Sequence, residues 1–189
     1  MTGAVEKNEL RKRLKKARAQ LCAEQVAASS ALASRHILAC DAYKKAKCIM
    51  GYLAFGKELS VDTVLGDALA RGKTVLVPLV ASATKIVPVR LHDMHNFELD
   101  RFGIRSVRQP VNEVNPKNVD LILVPGVAFG RDGSRLGMGA GYYDRFLPQA
   151  ENAKLMGVAY DALLQDTLPR DEFDVCMQLL ASESGITTL

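Results

Sequence analysis

The sequence predicts an α/β protein, a three-layer sandwich in which a mostly parallel, mixed central sheet is flanked by helices. Three observations carry that expectation. Short apolar runs rich in Val, Ile and Leu recur along the chain between polar boundaries, and helical patterns lie before and between them. The run "DLILV" is continuous rather than alternating, as a strand buried on both faces requires. Strands separated by helices imply parallel pairing with both faces of the sheet covered.

Residues 6–40 read as helix with a break at 22–24. Leu10, Leu14, Ala17 and Leu21 form one apolar stripe there, and the other faces are cationic. Strands are expected within "KAKCIMGYLAF", "GKTVLVPLV", "KIVPVRL", "VDLILVP" and "KLMGVAYD", and helices over 61–71 and from Tyr142 onward. "TVLVPLVASATKIVPVRL" reads as a hairpin turning at 81–84, and "QPVNEVNPKN" as a connecting loop. No repeat or long linker divides the chain, so residues 1–189 are expected to form one domain. A chain of this size buries roughly 70% of the surface its unfolded form exposes, enough for a core without staples.

Composition excludes several classes. With 48% hydrophobic and 24% charged residues the chain is ordinary globular material. No apolar run is long enough to span a membrane, and the N-terminus lacks a signal-peptide core, so a cytoplasmic protein with no membrane partner is expected. Cys22, Cys40, Cys48 and Cys176 include no close C-x-x-C pair and are expected to be reduced thiols. The formal charge of +4 is concentrated at the N-terminus, where residues 1–18 hold seven Lys or Arg against two acids. That basic helix reads either as a solvated face or as a source of cations for an anion such as phosphate.

The stretch "LILVPGVAFGRDGSRLGMGAGYYDRFL" concentrates the chemistry. Pro125-Gly126 ends the apolar run, and ligands of open α/β sheets sit beyond the carboxyl ends of such strands. Gly133, Gly137, Gly139 and Gly141 let the backbone approach a ligand closely, and Arg131 and Arg135 supply charge for phosphate oxygens. A helix starting near Tyr142 adds unpaired N–H groups. The alternative is a glycine-rich surface turn with its arginines in water. Common nucleotide signatures fail. Asp144 stands where a dinucleotide fingerprint needs glycine, and in "GDALARGKT" five residues separate the glycines where a P-loop has four. His92 and His95 read as part of a polar connection rather than as a metal pair.

"VPGVAFGRDGSRLGMGAGYYDRFL" resembles the signature of the 5-formyltetrahydrofolate cyclo-ligase family. The resemblance covers nearly the whole chain, through "KNELRKRLKKAR", "GYLAFGKELSVDTVL", "GKTVLVPLV", "RFGIRSVRQP" and "LPRDEFDV" in the family's order. It implies ATP- and magnesium-dependent conversion of 5-formyltetrahydrofolate to 5,10-methenyltetrahydrofolate, by a monomer acting on small molecules without nucleic acid. By resemblance, Lys7 and Arg11 are ATP-binding cations, and Arg135, Leu136, Gly137, Met138, Gly139, Ala140, Gly141, Tyr142 and Tyr143 form the ATP-binding segment. Met138 to Tyr142 also touch folate, Leu53 and Glu58 are folate neighbours, and Asp144 and Asp174 are the magnesium carboxylates. Tyr143 and Arg135 are implied at the reacting centre.

The sequence departs from the family's pattern at Gly130, where Asp is usual, and at Phe173, where a polar residue is common. Met138 and Ala140 replace residues that are basic in some relatives. A non-catalytic polyanion or RNA-binding module built on the basic helix is the alternative of a different class, and an α/β enzyme acting on sugar phosphates or acyl groups is a nearer one.

Overall fold

The computed structural model describes residues 2–95, 97–99 and 103–189, so Arg101 and Phe102 of the family segment "RFGIRSVRQP" lie outside the described residues. Helices α1 (Thr2–Ala19) and α2 (Ala23–Ala39) open the chain, followed by a short α3 (Asp41–Lys45). The break expected at 22–24 is a helix start, where the Cys22 N–H donates to Gln25 Oε1 at 2.8 Å. Strand β1 (Cys48–Met50), helix α4 (Asp62–Ala70) and strands β2 (Thr74–Val80) and β3 (Ile86–Leu91) come next. They are followed by β4 (Phe97–Leu99), β5 (Arg105–Val107), β6 (Leu121–Val124), β7 (Ala128–Phe129) and β8 (Arg135–Leu136). The chain ends with α5 (Tyr142–Phe146), β9 (Lys154–Val158), β10 (Leu179–Ser182) and β11 (Gly185–Thr188).

Seven strands form one sheet in the order β11-β10-β9-β6-β1-β2-β3. The five inner strands pair in parallel, and the two edges, β3 and β11, run antiparallel to their neighbours. The hairpin expected at 74–91 is therefore present, with the Ala81 N–H donating to the Lys85 carbonyl at its turn. Period-two alternation sorts each strand between two cores. Ile49, Val75, Val77, Leu121, Leu123 and Met156 face α1, α2 and α4, while Met50, Leu76, Ile122, Val124 and Leu155 face Phe146 and Leu147. The continuous run in β6 is thus apolar because both of its faces are covered.

The second face is the thinner layer. The helix expected from Tyr142 onward is only five residues long and passes into a 3-10 turn at Leu147–Gln149. Gly157 in β9 explains how this face closes, since a Cβ there would stand 2.5 Å from the Phe129 ring and 2.9 Å from Leu180. Gly157→Ala is expected to destabilise the fold by about 1–3 kcal/mol through overpacking, measured as a lower denaturation midpoint at unchanged m-value.

Leu10, Leu14 and Leu21 of the stripe expected on α1 pack on the core, but at its remaining position Arg18 takes the inward place of Ala17. Ala17 is exposed, and the inward face carries Lys7, Leu14 and Arg18, with Leu10 and Arg11 half-buried. Three cations of the basic helix consequently point into the protein. The P-loop-like Lys73 has a structural role, donating to the carbonyls of Tyr43 at 3.0 Å and Lys44 at 3.2 Å at the end of α3. His92 and His95 are exposed, in a connection held by the Asp93 carboxylate accepting from the His95 N–H at 2.7 Å.

Candidate active site

A cavity of about 720 Å³ opens beyond the carboxyl ends of the parallel strands. Tyr52 and Leu53 follow β1, Pro78 to Val80 end β2, and Pro125-Gly126 follow β6, and all of them line it. This is where an open α/β sheet binds ligands, and the volume suits a substrate-sized molecule. Every residue assigned to a site by resemblance reaches this one cavity: Lys7 and Arg11 from α1, Leu53 and Glu58 from the connection after β1, the segment Arg135 to Asp144, and Asp174.

The cations arrive already partnered. Lys7 Nζ donates to Asp171 Oδ2 at 2.6 Å and also to Asp174 Oδ2. Burial opposes the charge on this ammonium, yet the two carboxylates outweigh it and hold its pKa above the usual lysine value. Asp174 is pushed upward by burial, but the hydrogen bonds from Lys7 and from the Asp171 N–H leave it below the ordinary carboxylate range. Arg11 Nε donates to the Gly137 carbonyl at 2.7 Å, tying α1 to the glycine loop. Arg135, with a side chain only 4% exposed, donates through Nη2 to Asp144 Oδ1. The two carboxylates assigned to magnesium are therefore each held by a cation assigned to phosphate.

Among the described residues, two buried polar atoms in this wall have no partner: Arg135 Nε and Tyr143 Oη. Each leaves a desolvated group unsatisfied, which native structures seldom tolerate without a ligand or water in view. The Arg135 guanidinium lies 5.6 Å from the centre of the Tyr143 ring. Burial raises the Tyr143 phenol above its usual pKa, with Arg135 opposing and Glu58 reinforcing the shift, so near neutral pH it is a protonated donor. Together the two atoms offer an N–H and an O–H to whatever enters.

The glycines act less through a helix dipole than by making room. With α5 one turn long, little macrodipole is available at its start. Gly139 and Gly141 take φ of 108° and 67°, where a side chain is strained. Gly137 instead gives way to Arg135, whose Nη1 lies 2.9 Å from where a Cβ would stand. Gly137→Ala is expected to displace the guanidinium and lower kcat about tenfold at near-normal stability, checked by steady-state kinetics beside a melting curve.

Arg131 does not join the cavity. It is exposed, and its N–H donates to the Gln165 carbonyl at 2.8 Å in the turn between β7 and β8. The same turn accounts for Gly130, since a Cβ there would stand 2.2 Å from Ser134 Oγ and 2.3 Å from Asp132 Oδ1. Asp132 ties the loop by accepting from the Ser134 N–H at 3.0 Å and from Thr167 Oγ1 at 2.8 Å. Phe173 is 78% exposed and leaves the Asp174 contacts undisturbed.

Glu58 is no solvated turn residue. Its side chain is 14% exposed, Oε2 accepts from the Phe55 N–H at 3.0 Å, and Oε1 lies 3.8 Å from Arg18 Nη1. Burial raises its pKa, while the Phe55 N–H, Arg18 and Lys15 pull it back. Sequence reasoning missed Arg18, Tyr52, Arg105 and Asp171. Arg18 had a signal, for Lys7, Arg11, Leu14 and Arg18 repeat at helical spacing. Arg105 had none, because it lies on the unforeseen β4–β5 hairpin, where Asp62 accepts from its guanidinium at 2.7 and 2.9 Å.

An α/β sheet with a deep cavity at its carboxyl edge, ringed by cations and by two buried donors without partners, belongs to an enzyme of small-molecule chemistry. Residues 4–182 match the model of the 5-formyltetrahydrofolate cyclo-ligase family. The chain belongs to that family, as a ligase of folate metabolism. It is 30% identical over 174 residues to the 5-formyltetrahydrofolate cyclo-ligase of Haemophilus influenzae, covering 89% of this chain and 93% of that one. The mouse protein of the same name is 27% identical over 183 residues, 89% of each chain. The solved structure of Aquifex aeolicus 5,10-methenyltetrahydrofolate synthetase superposes with a TM-score of 0.84 at 32% identity, over 97% of this chain and 92% of that one. That of the Mycoplasma pneumoniae synthetase gives 0.76 at 26% identity, over 94% and 99%. None of these relatives supports the RNA-binding alternative.

Proposed function

We propose that the cavity catalyses the ATP-dependent closure of 5-formyltetrahydrofolate to 5,10-methenyltetrahydrofolate. The observation that carries this reading is the pair of unpartnered donors, Arg135 Nε and Tyr143 Oη, in a cavity that also holds Lys7 and Arg11. A formamide oxygen is a poor leaving group, and phosphorylation makes it a good one. The formyl oxygen attacks the γ-phosphorus and ADP leaves. N10 then attacks the formyl carbon of this iminophosphate, its proton is lost, and the C–O bond breaks to release phosphate.

The protein's part in this is positioning and charge stabilisation. Lys7, Arg11 and Arg135 receive the triphosphate, and the loop from Leu136 to Tyr142 lies against it. Tyr143, a neutral donor, orients the formyl or phosphoryl oxygen. Leu53 and Glu58 take the pterin, whose ring N–H groups suit a carboxylate acceptor, beside Met138 to Tyr142. Asp144 and Asp174 are hard oxygen donors on the cavity wall and fit magnesium once Arg135 and Lys7 turn to phosphate. That ion, when bound, supplies further neutralisation of the triphosphate. The four unpaired thiols suit the reducing cytoplasm.

Mixing the protein with 5-formyltetrahydrofolate, ATP and magnesium should generate the methenyl chromophore. Absence of an ATP-dependent signal with authentic substrate would overturn the reading.

A further inference from the structure

Behind the cavity wall lies a buried polar cluster whose central residue the reaction as described does not use. Its centre is Arg18, in the last turn of α1, 9% exposed as a residue. A buried guanidinium is costly unless its charge and its N–H groups are answered. Two answers are present: the Gly126 carbonyl accepts from Nη1 at 3.3 Å, and the Glu58 carboxylate stands 3.8 Å from the same nitrogen. Gly126 and Glu58 both line the cavity, on two different segments of its wall. Arg18 thus fastens the connection after β1 to the loop after β6, and both to α1. Arg11 and Lys7 lie about two and three turns earlier on that helix.

We propose that Arg18 is a positioning residue for the pterin-binding carboxylate, fixing Glu58 against the cavity wall through the Gly126 carbonyl. The inference rests on reading Glu58 as the pterin's acceptor. Geometry favours this role over simple packing. Glu58 Oε2 is already turned to the Phe55 N–H, so Arg18 restrains the other oxygen, Oε1. With both oxygens restrained, the carboxylate is presented in a single orientation before the substrate arrives, which limits the ordering cost of binding.

The charged and titratable groups facing Glu58 are Arg18 and Lys15 from α1, Tyr52 after β1, Tyr143 in α5 and Tyr160 after β9. The three phenols are pushed upward, chiefly by burial, Tyr160 to about 12, and remain neutral through the working range. Burial raises Glu58, and Arg18 is among the groups that oppose this. Pterin binding therefore weakens as pH falls through the raised Glu58 value, and loss of Arg18 moves that fall to higher pH.

The test measures kcat and KM for 5-formyltetrahydrofolate and for ATP from pH 5 to 9, in the full chain and in Arg18→Met, Arg18→Lys and Glu58→Gln, with melting curves for each. Arg18→Met is expected to raise the folate KM about tenfold, leave the ATP KM unchanged and move the acid limb of kcat/KM for folate upward. Arg18→Lys keeps the charge without the fork that reaches Gly126, and should recover the acid limb but only part of the KM. It carries the test alone if Arg18→Met does not fold. Glu58→Gln should raise the folate KM and abolish the limb. If Glu58→Gln leaves the folate KM unchanged, the role of Glu58 and the inference fall together. If Glu58→Gln acts as expected while the Arg18 variants keep the normal limb and folate KM, the inference alone is overturned.

Discussion

Arg135→Ala is expected to lower turnover more than tenfold, a loss of about 1.4 kcal/mol or more of transition-state stabilisation. The side chain is 4% exposed, pairs with Asp144 through Nη2, and keeps Nε free of any protein acceptor. Under the proposed reaction, removing it deletes a donor available to developing phosphoryl charge, and it strands the Asp144 carboxylate beside the cavity. Asp144→Ala should cost a similar factor, because the guanidinium then loses the partner that orients it. Since the two act as a unit, the double variant should lose much less than the product of the single losses. Steady-state kinetics on the three variants checks this, and unchanged turnover in both single variants would remove the site.

Lys7→Ala should raise the ATP KM at least tenfold and destabilise the fold. One ammonium neutralises two carboxylates, Asp171 and Asp174, which also sit side by side, with the Asp171 N–H donating to Asp174 Oδ2 at 2.8 Å. Without Lys7 they repel. The cost should be about 1–3 kcal/mol, less than for a fully buried pair, because Asp171 is 62% exposed. The pH dependence has a defined sign. Asp174 lies below its ordinary value of 3.8, so its contribution is present above that value and is lost as pH falls through the folded-state pKa. Lys7 lies above its ordinary 10.5, so its contribution is complete below that value and is lost as pH rises through the folded-state pKa. The stability gap between the wild type and Lys7→Ala should be level from about pH 5 to 10 and close on either side, as denaturant titrations at several pH values would show.

Fold and site were legible to different depths. The apolar runs of β1, β2, β6 and β9 were legible because burial on both faces of a parallel sheet writes itself as continuous hydrophobicity, and β3 was legible as the antiparallel arm of a hairpin with β2. The pairs β4–β5 and β7–β8 carry no such mark, being only two or three residues long and set by turn geometry. On α1 the leucines of the stripe were legible but the buried Lys7 and Arg18 were not, because long cationic side chains can occupy a buried face when their ends meet carboxylates or carbonyls. Hydropathy alone scores them as exposed. The loop from Arg135 to Asp144 was legible as a candidate site and lines the cavity, but the work of its glycines was not legible. Gly137 stands aside for Arg135, a tertiary contact invisible in the order of residues. Asp144 and Asp174 were legible as acids, and only the structure shows which cation each one holds.

The proposed reaction requires that the formyl oxygen itself become phosphorylated in this cavity. Substrate carrying ¹⁸O in the 5-formyl group tests it most directly in a single turnover with ATP, with the released phosphate analysed by mass. One ¹⁸O is expected in the inorganic phosphate for each methenyl product formed. Label recovered in water, with unlabelled phosphate or with product formed in the absence of ATP, would contradict it.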